Sequence, residues 1–445
     1  VTADLRTPSG LGARSTGLRL GALFGPAVFG VTAAGVALPA VSVGLGASSS
    51  ATVWVLTVHA LALGIGTALF GRLSDTVGTR AVLTVGAVLL LVGTALCLAA
   101  PTLGVLVAGR FVLAAGSGAM SAAALGLVGA VRSEHRATVL AVFGGAMAVF
   151  AACATLIAGV LTDLVSWRVT LALPALSVLA APLCLRLATR PGSGAPVDLR
   201  GAGLLAATAA AVLVLLQSSA LGLSGPTVAV IAVLCALGGV GTVLWVRRVP
   251  EGFVPRRLVT DRVFVVAAVA GGCVYAGLFA AMYAVPQVLV REHGWDVLAV
   301  GAWLLPGAVA GAVLTRLAGR LAAGRGGRPL AAGTAVAFGT ALVLAGWATG
   351  PALTVAAASL GFAAFSVVQV VVTGTVSERL ASAERGSGLG LLNLSFFVIG
   401  GAGSALAGAL AAQVGQSVAL AVVGVLPLAG GGLALLLPGA PGRGA

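Results

Sequence analysis

Ten stretches of this chain contain no Asp, Glu, Lys or Arg, and the shortest, 169–185, is 17 residues long. The others are 20–71, 81–109, 111–131, 137–162, 201–246, 263–290, 297–315, 329–377 and 386–442. A helix that spans the hydrocarbon core needs about 20 apolar residues. Backbone polar groups inside lipid must be satisfied within the segment, so runs of this kind are helices. Several runs hold two spans, divided at turn signals: Gly44 to Ser50, Leu223-Ser224-Gly225-Pro226, Gly350-Pro351, and Gln413 to Gln416. The spacing predicts fourteen helices, roughly over 18–42, 51–70, 80–100, 103–130, 137–162, 168–188, 200–221, 227–247, 263–290, 297–318, 329–349, 352–375, 387–412 and 417–438.

Composition excludes the soluble classes. The chain is 59% hydrophobic and 8% charged, with 66 glycines, a surface that water does not tolerate but close-packed membrane helices use. The first apolar stretch is long enough to span, so it reads as a retained helix and not a cleaved signal. The net charge of +14 comes entirely from arginine. With an even helix count and the N-terminus inside, 22 of the 25 arginines fall on the cytoplasmic side. The basic charge is therefore a topology signal with no patch for nucleic acid. The five cysteines sit inside apolar runs without metal-ligand spacing. No carboxylate pair, Ser-His-Asp set or nucleotide loop is present, which argues against an enzyme or an ATP-driven pump. The absence of Lys and the single Asn point to a GC-rich bacterial genome.

A repeat organises the spans. Gly71-Arg72-Leu73-Ser74-Asp75-Thr76-Val77-Gly78-Thr79-Arg80 returns as Gly319-Arg320-Leu321-Ala322-Ala323-Gly324-Arg325-Gly326-Gly327-Arg328, with both glycines, both arginines and the leucine kept. Arg136-Ala137-Thr138 and Arg385-Gly386-Ser387 form a second pair, and both offsets equal eight helices. The expected fold is an all-α polytopic membrane protein of two six-helix bundles plus two inserted helices. Its parts are a cytoplasmic segment (1–17), an N-terminal bundle (18–188), linkers with inserted helices 7 and 8 (189–262), a C-terminal bundle (263–438) and a cytoplasmic tail (439–445). Duplicated bundles of this kind build many secondary transporters.

The chain resembles the major facilitator superfamily, and within it the fourteen-helix drug:proton antiporter branch. Gly71 to Arg80 is similar to the superfamily's loop signature between helices 2 and 3, with Thr76 where a basic residue is usual. Ala37-Leu38-Pro39, Trp54-Val55-Leu56-Thr57, Ser166-Trp167-Arg168, Asp198-Leu199-Arg200-Gly201, Pro286-Gln287 and Leu305-Pro306 resemble the branch. Two features depart from it. Gly30 and Gly35 stand where the branch carries Asp and Asn, with only Thr32 between them kept, and the helix 5 motif survives only in Gly159.

The resemblance implies a gating role for Gly71, Arg72, Asp75, Gly78 and Arg80, with Asp75 latching the bundles on the inside, and matches Arg110 to a helix 4 arginine linked to proton transfer. The residues alone leave Arg110 open between that role and a structural arginine bonding to helix carbonyls, since a charge so deep must face water or a polar partner. His59 is the titratable group near mid-depth that changes charge near neutral pH, and it reads either as a proton carrier or as a packed core histidine. Thr32, Gln217, Gln287, Gln369, Asn393, Tyr275 and Tyr283 are polar helix residues that either line a substrate cavity or bond across helices.

The eleven acidic residues lie in loops or near helix ends, so a cationic substrate would find no buried counter-charge. The expected function is export of a small amphiphilic compound, neutral or anionic, by proton-coupled alternating access. The expected partners are that substrate, protons and the lipid bilayer, with no nucleic acid and a monomeric chain. A proton gradient, and no cofactor or metal, would supply the energy, in a bacterial plasma membrane with both termini cytoplasmic. An uncoupled facilitator or importer on the same fold is the alternative, ahead of a non-transporting sensor or membrane enzyme.

Overall fold

The computed structural model describes residues 10–129, 131, 133–188, 192–194, 196–218, 221–322, 327–348, 350–380 and 385–438. Among them fourteen helices are long and apolar enough to cross a bilayer. They are α1 (Gly12–Leu45), α2 (Ser49–Val77), α3 (Thr79–Ala99), α4 (Leu103–Val128), α5 (Val142–Leu164), α6 (Trp167–Leu185), α7 (Leu199–Leu216), α8 (Gly225–Arg248), α9 (Arg262–Arg291), α10 (Val297–Leu314), α11 (Gly327–Ala348), α12 (Pro351–Arg379), α13 (Gly388–Val414) and α14 (Gln416–Ala434). No strand occurs among the described residues.

The packing repeats at an interval of eight helices. In the first set α1 packs on α5 and α6, α2 on α4, and α3 on α4 and α6. In the second set α9 packs on α13 and α14, α10 on α12, and α11 on α12 and α14. Two seams join the sets, α2 against α13 and α5 against α10, and α1 also meets α9. Each seam sets the second helix of one bundle against the fifth of the other, which is the pattern of a two-fold relation. Helix α7 packs on α8 and reaches both α2 and α13, whereas α8 has no buried residue.

Lipid offers no hydrophobic drive between helices, so close packing of small residues must hold the bundles together. Gly35 of α1 lies directly on the backbone of Met282 in α9, and Gly301 of α10 on the backbone of Thr155 in α5. The loops after odd-numbered helices lie at one end of the molecule and those after even-numbered helices at the other. These are called here the odd-loop and even-loop ends.

Helix winding departs from the expected spans in five places. Residues 71–77 of the signature loop are helical, so α2 runs through Asp75 to Val77. Gly78, at φ 90° and ψ 147°, makes the whole corner, and α3 begins at Thr79. Gly71 has open space around it, so Gly78 alone carries the turn's demand for glycine. Helix α1 contains a 3-10 segment, Gly25–Gly30, opened by Pro26, and α6 contains another, Leu173–Leu176, opened by Pro174. Helix α7 stops at Leu216 because Gln217 leaves helical geometry. In the second decapeptide, Gly319 to Ala322 prolong the helix of α10, and Ala323 to Gly326 lie outside the described residues.

Candidate functional site

Arg110 is fully buried in α4, and its guanidinium faces three carbonyls on three helices. Nε donates to Val55 of α2 at 3.4 Å, Nη1 to Leu171 of α6 at 2.9 Å, and Nη2 to Gly30 of α1. The local winding explains two of these acceptors. Leu173 N–H serves the carbonyl of Thr170, and Pro174 has no N–H with which to serve Leu171, so that carbonyl is free for the arginine. Gly30 ends the 3-10 segment of α1, where the winding changes.

His59 of α2 sits against the same glycine. It is fully buried, and neither ring nitrogen has a hydrogen-bond partner. A side chain at residue 30 would overlap Nε2 of the imidazole, so the absence of one at Gly30 makes the room for His59. Thr32, two residues on, is buried and returns its hydroxyl to Val28 of its own helix at 2.8 Å.

The C-terminal bundle holds a second polar group. Tyr275 of α9 donates to Oε1 of Gln369 of α12 at 2.5 Å, Gln369 Nε2 donates to Oδ1 of Asn393 of α13 at 3.3 Å, and Asn393 Nδ2 donates to Leu389 at 3.1 Å. Aromatic rings enclose Tyr275: Phe365, Phe396, Phe397 and Phe279 have centroids 4.7, 4.9, 5.7 and 5.9 Å away. Phe397 crosses the seam and packs against Ala27, Ala62, Leu63 and Ala114 of the N-terminal bundle. Those residues lie near the middle of their helices, so an aromatic wall backed by a tyrosine and two amides stands at mid-depth between the bundles.

The odd-loop end is tied across the bundles. Tyr283 of α9 donates to Ser49 O at 3.0 Å and accepts from Gln416 Nε2 of α14 at 3.1 Å, and Arg291 Nη2 donates to Ser42 Oγ at 2.6 Å. Gln287, one turn beyond Tyr283, is fully buried with neither amide atom partnered. Deeper in the α2–α13 seam, Thr57 and Ser404 share a hydrogen bond of 3.0 Å, and Gln217 Nε2 reaches Thr57 at 3.4 Å.

At the even-loop end the signature segment meets the linkers of the inserted pair. Ser193 N–H donates to Asp75 O at 2.9 Å, Gly194 N–H to Thr76 O at 3.0 Å, and Arg72 Nη2 to Gly252 O at 3.3 Å. Ser74 and Thr79 close the Gly78 corner with a hydroxyl pair at 2.7 Å. Asp198 caps α7 through Gly201 N–H at 2.8 Å and also accepts from Phe253 N–H at 3.0 Å and the Trp245 indole at 3.0 Å. Partial burial opposes its charge, but the Phe253 and Gly201 amides, the indole and nearby Arg200 together hold its carboxyl below the usual carboxylate range. Its stabilisation is present above the unfolded-state value of about 3.9 and is lost as pH falls through the lower folded value. Asp198→Asn turns an amide N–H toward one of these donors. Tryptic cleavage at Arg200 and Arg256 is expected to quicken roughly tenfold, about 1.4 kcal/mol, and unchanged cleavage would show that the node holds nothing.

The site residues read from the sequence thus fall into five places, with the signature residues Gly71, Arg72, Asp75, Gly78 and Arg80 at the even-loop end. Arg110, His59 and Thr32 lie in the core of the N-terminal bundle, and Tyr275, Gln369 and Asn393 form one network in the C-terminal bundle. Tyr283 and Gln287 lie toward the odd-loop end of α9, and Gln217 joins the seam. Phe365, Phe397, Thr57, Ser404, Ser42, Ser49 and Gln416 are the site residues that sequence reasoning missed. Phe396 and Phe397, three and four residues after Asn393, carried a usable signal because that spacing places them on one helix face. Isolated serines and threonines carried none.

Two six-helix bundles that meet along paired seams, with polar and aromatic groups at mid-depth, define a multi-pass helical membrane fold. Residues 20–322 match the model described as Major Facilitator Superfamily, and the chain belongs to that family. Over 237 residues it is 32% identical to the puromycin resistance protein pur8 of Streptomyces alboniger, covering 52% of this chain and 47% of that protein. It is 34% identical over 139 residues to the uncharacterized MFS-type transporter EfpA of Mycobacterium tuberculosis, covering 31% of this chain and 26% of that one. It is 29% identical over 134 residues to efflux pump dotC of Dothistroma septosporum, covering 30% and 23%. The chain therefore spans about half the length of the first of these relatives and about a quarter of the other two. These relatives are consistent with the drug-efflux resemblance. A crystal structure of a POT family transporter in complex with a thioalcohol-conjugated peptide shares the fold, with a TM-score of 0.68 at 15% identity over 95% of this chain and 96% of that chain.

Proposed function

We propose that the protein exports a small amphiphilic compound, neutral or anionic, by proton-coupled alternating access. The aromatic wall carries this reading: Phe397, Phe279 and Phe365 beside the Tyr275–Gln369–Asn393 network at the seam. Ring faces there suit a flat apolar body, and the amides and phenol suit uncharged donors and acceptors. A cation bound there would be desolvated with no carboxylate beside it, because the acidic residues of the chain lie near helix ends or in loops.

The arginine-rich loops make the even-loop end cytoplasmic, with both termini on that side of a bacterial plasma membrane. The hydrogen bonds of Tyr283 and Arg291 then close the external side, and the bundles rock about the midplane as a monomer. The signature segment, with Asp75 and Arg72 at its centre, acts as the inner gate and bears on the linkers. His59 is the proton carrier: its unpartnered imidazole at mid-depth is the titratable group there whose ordinary range lies near neutral pH. The name of one relative, efflux pump dotC, supports the direction of transport.

The test is uptake into inside-out vesicles under an imposed proton gradient, over neutral, anionic and cationic antibiotics and dyes, with puromycin as an amine-bearing member. The expected result is saturable uptake of a neutral or anionic compound that a protonophore abolishes. In His59→Gln the uptake persists at a reduced rate and no longer responds to the gradient. Gradient-insensitive uptake by the unaltered protein would replace export with facilitated diffusion or import. Robust saturable uptake of a permanent quaternary ammonium dye would overturn the charge class.

A further inference from the structure

The inserted helix α7 lies over the α2–α13 seam. Ala209 and Leu213 of α7 pack in one cluster with Leu61 of α2 and Ala405 of α13. Just beyond α7, fully buried Gln217 donates Nε2 to Thr57 Oγ1 at 3.4 Å. Thr57 and Ser404 pair at 3.0 Å, and Ser404 Oγ also donates to Gly401 O of its own helix at 2.9 Å. Each hydroxyl has one proton. Ser404 spends its proton on Gly401, so Thr57 must donate to Ser404. The chain therefore runs one way, from Gln217 N–H to Thr57, from Thr57 O–H to Ser404, and from Ser404 O–H to Gly401.

This direction matters when the seam parts. As α13 withdraws, Ser404 keeps its bond to Gly401, but Thr57 O–H loses its acceptor. A stranded hydroxyl in an apolar seam costs about 1–3 kcal/mol. An acceptor already at hand is Gln217 Oε1, which is buried and has no partner in the closed seam. Gln217 can stay with Thr57 only if the insert moves with α2. The other end of the insert shows that tie: Ser193, Gly194 and Gly252, in the linkers on both sides, bond to Asp75, Thr76 and Arg72 of α2. Gly192 also rests on the backbone of Thr76, where any side chain would overlap it.

We propose that the inserted pair travels with the N-terminal bundle, and that Gln217 takes over the Thr57 hydroxyl when α13 withdraws. This partner exchange leaves no hydroxyl stranded in either state and lowers the cost of opening the seam. The inference rests on the alternating-access reading above.

The test is double electron–electron resonance in lipid nanodiscs. Nitroxides are placed at Ser50→Cys, Leu221→Cys and Val414→Cys, taken in pairs, in a chain whose five native cysteines are replaced. Spectra are compared across pH 5.5 to 8.5 with and without puromycin. The expected result is that the 50–414 and 221–414 distances change together while 50–221 stays fixed. A fixed 221–414 distance with a changing 50–221 distance would place the insert on the C-terminal bundle and overturn the proposal. An unchanging 50–414 distance would remove alternating access itself, and the exchange with it. Gln217→Leu is expected to lower the open-seam population at least about fivefold. Thr57→Val, which has no hydroxyl to strand, should abolish that effect of Gln217→Leu, and a population insensitive to Gln217→Leu would overturn the exchange. Should the cysteine-free chain fail to fold, bridging in the native background by a short bifunctional maleimide gives a second readout. A 50–221 bridge should leave transport intact and a 221–414 bridge should stop it, and the reverse pattern would overturn the proposal.

Discussion

Arg110→Met is expected to cost the protein its fold before it costs it any chemistry. The methionine fills much of the same volume but has no donor, so the carbonyls of Gly30, Val55 and Leu171 are left without the guanidinium. Each buried carbonyl so stranded costs about 1–3 kcal/mol, against a total stability of the order of 5–15 kcal/mol for typical domains. The three carbonyls belong to α1, α2 and α6, so one side chain ties three helices of the N-terminal bundle to α4. Arg110→Lys should recover only part of the loss, because an ammonium is a compact point charge without the planar fork that reaches three directions. Thermal melting in detergent, followed by monodispersity on size exclusion, measures both variants. The expected Tm falls by about 5 °C or more in Arg110→Met and by less in Arg110→Lys. A methionine variant that melts like the parent but loses gradient-driven uptake would move Arg110 from a structural pin to the proton pathway.

That outcome bears on what could be read from the chain itself. An arginine alone in an apolar run is visible as an anomaly, and the two readings of it, proton handling or carbonyl binding, were both available. Choosing between them needed the acceptors. Those are backbone oxygens exposed by changes of helical winding at Gly30 and before Pro174, about 60 or more residues away in sequence, and no side-chain pattern encodes them. The number of helices was legible because charge-free length and turn residues are local properties. The winding of residues 71–77 was not: a polar segment between two spans reads as a loop, yet nothing from Gly71 to Val77 forbids helix, and only Gly78 ends it. Tyr275, Gln369 and Asn393 were each visible as polar residues in apolar helices. Their union, like that of Thr57 with Ser404, is created by packing between helices up to 347 residues apart in the chain.

Gly35→Ala and Gly301→Ala are expected to shift the protein away from its externally closed state, each by wedging one contact between the bundles. At Gly35 the added methyl overlaps the carbonyl of Met282, and at Gly301 it overlaps the carbonyl of Thr155. Backbone cannot step aside as a side-chain tip can, so the helices must separate or bend, at roughly 1–3 kcal/mol for an overpacked contact. The two contacts lie on different helix pairs, α1 with α9 and α5 with α10, and both lie toward the odd-loop end. The penalty falls on the state in which that end is closed, while a state with the bundles parted there is relieved of it. A bias of that size changes the ratio of the two states by about 5- to 150-fold. The measurement is labelling of Leu289→Cys, which is fully buried in α9 near this end, by a membrane-impermeant maleimide in whole cells. Labelling should rise at least about fivefold in either glycine variant, and turnover in vesicles should fall because the return to the closed state is slowed. Gly104→Ala, with open space around it in α4, is the control and should change neither. Wedges that leave labelling unchanged would show that these contacts do not form the external closure, and the seams would then have to open by another route.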